Sequence, residues 1–329
     1  MPKVLITGGA GYIGSVVGDF FLRNGYDVKV VDLLWFKKDV PALYQSNPRY
    51  EFIKGDICNT DFIESLLKDI DFVIHAAAVV GDPASKKFPD LTYKINYEAS
   101  VKLIDRARNS NMKGFIFLST CSNYGISEGL ANEKSPLKPL SLYAQTKVDV
   151  EQYLMDRVRD LDWIICRLST VYGVSPRMRF DLTVNDFTLD AFTNKYLDIF
   201  LPYTYRPYIH VSDVGRSILE IIRKFDRTKR NIFNIGFVGE NYQKIEIAKA
   251  ISKFIPEIKI SVTEKGLDSR DYQVDFSKLQ KYVGTKNSFR VEDGIKEVLD
   301  LLNSGKIADP KESIYYNTSP DTGVLINEN

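Results

Sequence analysis

The sequence predicts an α/β chain: a doubly wound parallel sheet, followed in the C-terminal half by a smaller α/β domain. Three observations carry this. Short apolar runs alternate with helical patterns through roughly the first half of the chain. A glycine-rich turn links the first run to the first helical pattern. The rhythm then changes near residue 170, where Tyr, Pro and Arg become frequent.

The apolar runs are KVLIT (3–7), VKVVD (28–32), YEFIK (50–54), DFVIHAA (71–77), GFIFLS (114–119) and WIICRLS (163–169). Near-continuous apolar character is what strands covered on both faces show, and that burial is typical of parallel sheets. Between them, 12–24, 60–68, 90–109 and 141–159 have helical spacing, as in Val101, Ile104 and Ala107. Strands alternating with helices make βαβ units. After residue 170, VYGVSPRMRFDLTVNDFT and LPYTYRPYIHV read as loops around a ligand. SDVGRSILEIIRKF is expected to be a helix capped by Ser212, IFNIG (232–236) a further strand, and 243–254 and 291–303 helices. These patterns divide the chain into a first domain over 1–169 plus about 207–236, and a second over 170–206 and 237–315. The remainder, 316–329, lacks periodicity and is expected to be mobile.

Composition excludes several classes of function. A formal net charge of +1 without basic or acidic blocks gives no electrostatic footprint for nucleic acid or an anionic membrane. Three dispersed cysteines (Cys58, Cys121, Cys166) and two histidines give neither a disulfide framework nor zinc-ligand spacing, so no metal is expected. MPKVLIT runs straight into a strand pattern, and no apolar run reaches membrane-spanning length. The expectation is a soluble, cytoplasmic protein.

The turn ITGGAGYIGS contains Gly9-x-Gly11-x-x-Gly14 and Gly8-x-x-Gly11-x-x-Gly14. Gly8 and Gly11 permit tight turning and close approach of a pyrophosphate, which then faces free N–H groups at a helix N-terminus. Gly14 lets the helix approach the sheet. Asp32 ends the second strand, where a carboxylate accepts hydrogen bonds from ribose hydroxyls and repels a 2′-phosphate. Strand, turn, helix and acid together predict a Rossmann domain binding NAD rather than NADP. Lys37 and Lys38 read as solvated loop charges.

TGGAGYIG, GDI (55–57), HAAA (75–78), FLSTCSNYG (117–125) and YAQTK (143–147), in this order, resemble the extended short-chain dehydrogenase/reductases. More narrowly the chain is similar to the NAD-dependent nucleotide-sugar epimerase/dehydratase family, over roughly residues 3 to 300. The resemblance implies cofactor contacts from Tyr12, Ile13, Asp56, Ile57, Ala76 and Ala77, with Asp56 at the adenine. It gives Asn96 an ordering role beside the fourth strand. It also implies a homodimer paired through a four-helix bundle, using Val101, Ile104, Val150 and Leu154.

Tyr-x-x-x-Lys spacing occurs at Tyr50/Lys54, Tyr143/Lys147 and Tyr282/Lys286. The first pair lies in a strand and the last brackets Gly284 at a helix end, whereas Tyr143/Lys147 opens a helix, where positions i and i+4 are neighbours. Removing a proton from a secondary alcohol needs a base stronger than an unperturbed phenol at neutral pH. Lys147 and an oxidised nicotinamide are expected to lower the pKa of Tyr143. By resemblance, Thr120 holds the substrate oxygen, with Ser122 second. The family's 4,6-dehydratases carry an Asp-Glu pair where this chain has Cys121 and Ser122, which disfavours dehydration. What remains is oxidoreduction at C4 of a nucleotide-diphosphate sugar, by a C4 epimerase or a C4 dehydrogenase.

Arg206 and Arg270 match arginines that clamp a nucleotide diphosphate, a task suited to bidentate guanidinium contacts. Asn185 matches a substrate-binding asparagine, and Arg177 and Arg179 are candidates to approach the sugar nucleotide. The stretch 171–187, together with RDYQVDFSKL, resembles a subgroup that includes GDP-heptose 4-dehydrogenases. Two other readings use the same scaffold: a non-catalytic NAD-sensing protein and a reductase of small lipophilic carbonyls. The intact Tyr143/Lys147 pair speaks against the first, and Asp32 with the clamp arginines against the second.

If Asp32 selects the cofactor, calorimetry should show tighter binding of NAD than of NADP, and Asp32→Ala should narrow the difference. A preference of the unaltered protein for NADP would overturn this.

Overall fold

A computed structural model describes residues 1–264, 266 and 270–319. Seven parallel strands form the central sheet, in the order Asn231–Ile235, Trp163–Leu168, Gly114–Thr120, Phe72–His75, Lys3–Thr7, Asp27–Asp32 and Tyr50–Lys54. The chain winds outward from Lys3–Thr7 in one direction, then returns to build the other side from Phe72–His75. The switch point therefore lies between these two strands, and a crevice opens there beyond their carboxyl ends. Thr7 pairs in register with Val31 and His75, which brings all three strand ends to its rim.

Period-two alternation explains the apolar runs. Val4 and Ile6 face one core with Phe21 and Ile218, while Leu5 faces the other with Val73, Leu103 and Val150. Burying each such side chain contributes about 1.5–3 kcal/mol. Asn231–Ile235 completes the sheet although residues 169–230 separate it in sequence from its neighbour Trp163–Leu168.

Among the described residues three small sheets also form, mostly from the chain beyond residue 170. Thr170–Tyr172, Tyr205–His210 and Asn241–Gln243 make one; Tyr196–Phe200 pairs with Lys259–Thr263, and Ile126–Ala131 with Asp271–Val274. A separate core of Tyr172, Val184, Ile199, Tyr208, Ile247 and Ile295 holds this part together.

Several expectations are corrected. Part of the stretch read as loops is the helix Thr183–Asn194, whose inward face is Val184, Thr188 and Ala191. The helix Val211–Arg223 is capped by His210, whose Nδ1 accepts from Ser212 N at 3.2 Å, so Ser212 is not its cap. The pattern 90–109 is broken by a wider turn at Lys94–Ala99, a feature common near functional sites. Its Asn96 clasps Val79, accepting from Val79 N at 2.8 Å and donating to Val79 O at 2.9 Å. Ile104, Val150 and Leu154, expected at a dimer face, are buried within this chain's own core.

The C-terminal stretch is also more engaged than expected. Asn317 N donates to Asp181 Oδ2 at 2.9 Å, and its side-chain amide donates to Val80 O at 3.2 Å. Residues 320–329 of that stretch lie outside the described residues. Among the described residues, no helix is long and apolar enough to cross a membrane.

Candidate active site

Gly8 sits at φ +69°, and a Cβ there would lie 2.7 Å from the Ala77 backbone. A Cβ on Gly14 would lie 2.2 Å from the carbonyl oxygen of Gly8, so the helix Tyr12–Arg23 packs directly on the turn that precedes it. No side chain caps this helix at Gly11, which leaves its first N–H groups for a ligand. Asp32 accepts from Ala10 N at 3.0 Å and Leu34 N at 2.8 Å, bonds that hold the carboxylate at the rim while burial raises its pKa. Tyr12, Ile13, Asp56, Ile57, Ala76 and Ala77 line the same cleft as Gly8, Gly11, Gly14 and Asp32. A glycine-walled floor, an uncapped helix end and an acid at the far rim fit a dinucleotide.

Beneath this cleft the polar groups are paired. His75 Nδ1 lies 2.6 Å from Thr7 Oγ1 and its Nε2 lies 2.8 Å from Ser100 Oγ. Burial pushes His75 down to about 3, so it stays neutral.

Tyr143 and Lys147 enter the cleft from the helix Leu142–Arg157, whose cap Ser141 accepts from Ala144 N at 3.2 Å. Lys147 Nζ donates to Leu118 O at 2.9 Å and lies 4.7 Å from the Phe117 ring centre. Burial pushes Lys147 down to about 7, opposed by Glu151 one turn further along. Burial pushes Tyr143 up to about 12, opposed by a hydrogen bond with Thr120, while Asp82 raises it further and Arg179 lowers it. Burial dominates the phenol, and the strongest cation opposing it is Arg179. The other two pairs stand elsewhere, Tyr50/Lys54 on an outer sheet strand and Tyr282 against Phe233.

Thr120 ends the Gly114–Thr120 strand, and its Oγ1 accepts from Ser122 N at 3.1 Å. Beside it, Ser122 Oγ lies 3.4 Å from Tyr272 OH and accepts from Arg270 Nη1 at 3.3 Å. Arg270 also pairs with Asp82 Oδ2 at 3.1 Å, and Asp82 Oδ1 accepts from Ser141 Oγ at 2.7 Å. Arg206 donates to the Arg270 carbonyl and stacks 5.3 Å over the Tyr272 ring. Three of the expected substrate residues, Ser122, Arg206 and Arg270, thus converge on one corner beside Tyr143. Asp82 and Tyr272 belong to this corner too and were not singled out. Their signals, the GDP after HAAAVV and the DY after Arg270, are too short to stand out alone.

Two expected residues lie elsewhere. Asn185 is fully buried: Oδ1 accepts from Gly173 N at 3.0 Å and Nδ2 donates to Arg179 O at 2.9 Å. Its amide braces the loop and is committed there, which corrects its assignment to the substrate. Arg177 lies in the dinucleotide cleft, 3.9 Å from the Phe36 ring centre and within the field of Asp32, away from the Arg206/Arg270 corner. Arg179 is held by Asp181 through two bonds of 2.8 and 3.0 Å.

The loop carrying Thr120 rests on a buried network. Glu151 Oε1 accepts from Ser119 Oγ at 2.5 Å and Asn123 Nδ2 at 2.9 Å, and Glu151 Oε2 pairs with Arg167 Nη2 at 2.5 Å. Cys121, at a position where a dehydratase would carry a carboxyl, donates its thiol to Arg167 O at 3.2 Å. Burial pushes that thiol's pKa far up, so it offers no base near neutral pH.

The depressed pKa of Lys147 has a stability consequence. Between about 7 and the ordinary lysine value of 10.5, the unfolded chain binds this proton more fully than the folded one. Folded stability from this group therefore rises with pH across that window. Lys147→Met should show a smaller rise than the parent in thermal unfolding from pH 6.5 to 10; identical profiles would overturn the assignment.

Comparison with known proteins agrees with this geometry. Residues 4–236 match the NAD dependent epimerase/dehydratase family. The chain is 29% identical over 311 residues to a UDP-glucose 4-epimerase of Lactobacillus helveticus, covering 86% of this chain and 92% of that one. It is 26% identical over 320 residues to a dTDP-glucose 4,6-dehydratase of Streptomyces niveus, covering 92% and 94%. Its fold matches the crystal structure of UDP-glucuronic acid 4-epimerase from Bacillus cereus in complex with UDP-glucuronic acid and NAD. That match has a TM-score of 0.83 at 27% identity and covers 92% of this chain and 99% of that one. The glycine turn, Asp32 and the Tyr143/Lys147 helix thus sit in a chain that belongs to the NAD-dependent epimerase/dehydratase family, with NAD as its cofactor.

Proposed function

We propose that the chain catalyses NAD-dependent oxidoreduction at C4 of a nucleotide-diphosphate sugar, as a C4 epimerase or a C4 dehydrogenase. The observation that carries this is the position of Tyr143. It lines the dinucleotide cleft and also feels Asp82 and Tyr272, members of the corner where Arg206 and Arg270 converge. A group poised between a nicotinamide site and a diphosphate-binding corner is placed to move the proton of a sugar hydroxyl. The relatives reported above act on UDP and dTDP sugars, which makes a pyrimidine nucleotide the first choice over GDP.

In this reading Thr120 holds the C4 oxygen and Tyr143 takes its proton. Bound NAD⁺ supplies the hydride acceptor and a positive charge that favours the phenolate. Lys147, held by Leu118 O and titrating near 7, can exchange a proton close to the working pH. Arg206 and Arg270 neutralise the diphosphate, with Ser122 and Tyr272 between them and the reacting carbon. An epimerase returns the hydride to the opposite face of the sugar, whereas a dehydrogenase passes it to a second substrate. Elimination of water is disfavoured because Cys121 and Ser122 offer no carboxyl group.

Incubation with UDP-, dTDP-, GDP- and CDP-sugars, followed by chromatography and mass spectrometry of the products, tests the activity. With the responding substrate, Tyr143→Phe should lower turnover by something like 10²–10⁴-fold while leaving NAD binding nearly intact. Tyr50→Phe and Tyr282→Phe, matched in spacing alone, should leave turnover unchanged. Full activity of Tyr143→Phe, or equal losses in all three, would overturn the assignment.

We also propose a homodimer, now resting on the exposed Tyr93 and the half-buried Val101 of the segment 89–108, since the other expected positions are internal. Light scattering at micromolar concentration should give twice the chain mass, and a monomeric mass would overturn this.

A further inference from the structure

Arg177 stands out among the buried polar groups. Its side chain is 2% exposed, and Nε and Nη2 are fully buried without a hydrogen-bond partner. The acids around it are engaged elsewhere. Asp181 holds Arg179 by both oxygens, and both oxygens of Asp32 accept backbone N–H groups. Arg179 adds a second positive charge nearby, and burial together with that charge pulls Arg177 down to about 9. Taking a guanidinium out of water without a counter-charge is expensive. The aromatic face of Phe36, 3.9 Å away, offsets only part of that cost.

The location says which counter-charge suits it. Arg177 and the uncapped N-terminus of the helix Tyr12–Arg23 line one cleft, and Tyr12 and Asp32 lie within its field. A planar fork of N–H donors matches phosphate oxygens bidentately. We propose that Arg177 clamps the pyrophosphate of NAD from the side opposite the glycine turn. The dinucleotide is then held jointly by the first βα turn and by the loop after the strand Thr170–Tyr172, and its phosphates supply the anion that Arg177 otherwise lacks.

The inference makes a paired demand that a merely structural arginine would not meet. Arg177→Met removes a buried, unpaired charge while keeping length and apolar contact. Nucleotide-free protein carrying it should melt at the same temperature as the parent or higher. Its affinity for NAD and for ADP-ribose, measured by calorimetry, should fall by the same factor, about tenfold or more. Adenosine, which lacks the phosphates, should displace a fluorescent adenine probe equally well from both proteins. Arg177→Lys keeps the charge without the fork, so its loss should be intermediate. An unchanged affinity for NAD would overturn the proposal. So would a loss for NAD that ADP-ribose does not share, or a lowered melting temperature of the nucleotide-free variants.

Discussion

A carboxylate and a guanidinium with almost no exposed surface set the register of the helix that carries Tyr143 and Lys147. Glu151 and Arg167 meet at 2.5 Å, one on the helix that carries Tyr143 and Lys147, the other on the strand beside Gly114–Thr120. Tyr143, Lys147 and Glu151 are spaced four residues apart, so one helix face presents a phenol, an amine and a carboxylate on successive turns. Desolvating such a pair is costly, and its hydrogen bonds to Ser119 and Asn123 offset much of that cost. Sliding the helix along the sheet would strand a charge in the core. The pair therefore holds Tyr143 at a fixed height above Thr120, and Arg167 extends the brace to Tyr124 and Asn234.

Burial acts on Tyr143 and Lys147 in opposite senses. It raises the phenol and lowers the amine, so both favour their neutral forms in the folded protein. The surrounding charges then bias them: Glu151 supports protonated Lys147, Arg179 supports the phenolate, and Asp82 opposes it. Asp82 also ties Arg270 to the helix cap Ser141, which couples the Arg206/Arg270 corner to the helix that carries Tyr143.

Much of the fold was legible because its cause is local or periodic. Strands covered on both faces leave apolar runs, a steep turn leaves glycines, and a helix leaves partners four residues apart. The helix Thr183–Asn194 escaped because Pro176, Arg177 and Arg179 precede it and polar residues interrupt it, while Val184 and Ala191 face a core completed by Tyr208, Ile247 and Ile295, distant in sequence. His210 replaced Ser212 as a cap for a similar reason: its ring is fixed by Glu297, Phe289 and Tyr172, none of them near it in sequence.

By itself the sequence determined the sheet, the glycine turn with Asp32, and the Tyr143/Lys147 pair, since each is specified by residues within a turn or a strand of one another. Tertiary structure alone decided which polar groups share a corner. It brought Ser122, Asp82, Arg206, Arg270 and Tyr272 together from loops far apart in the chain. It turned Asn185 inward and carried Arg177 to the cleft floored by the glycine turn. It also decided the protonation of Tyr143 and Lys147, because desolvation depends on everything packed around a group, and residue spacing records only what lies next to it.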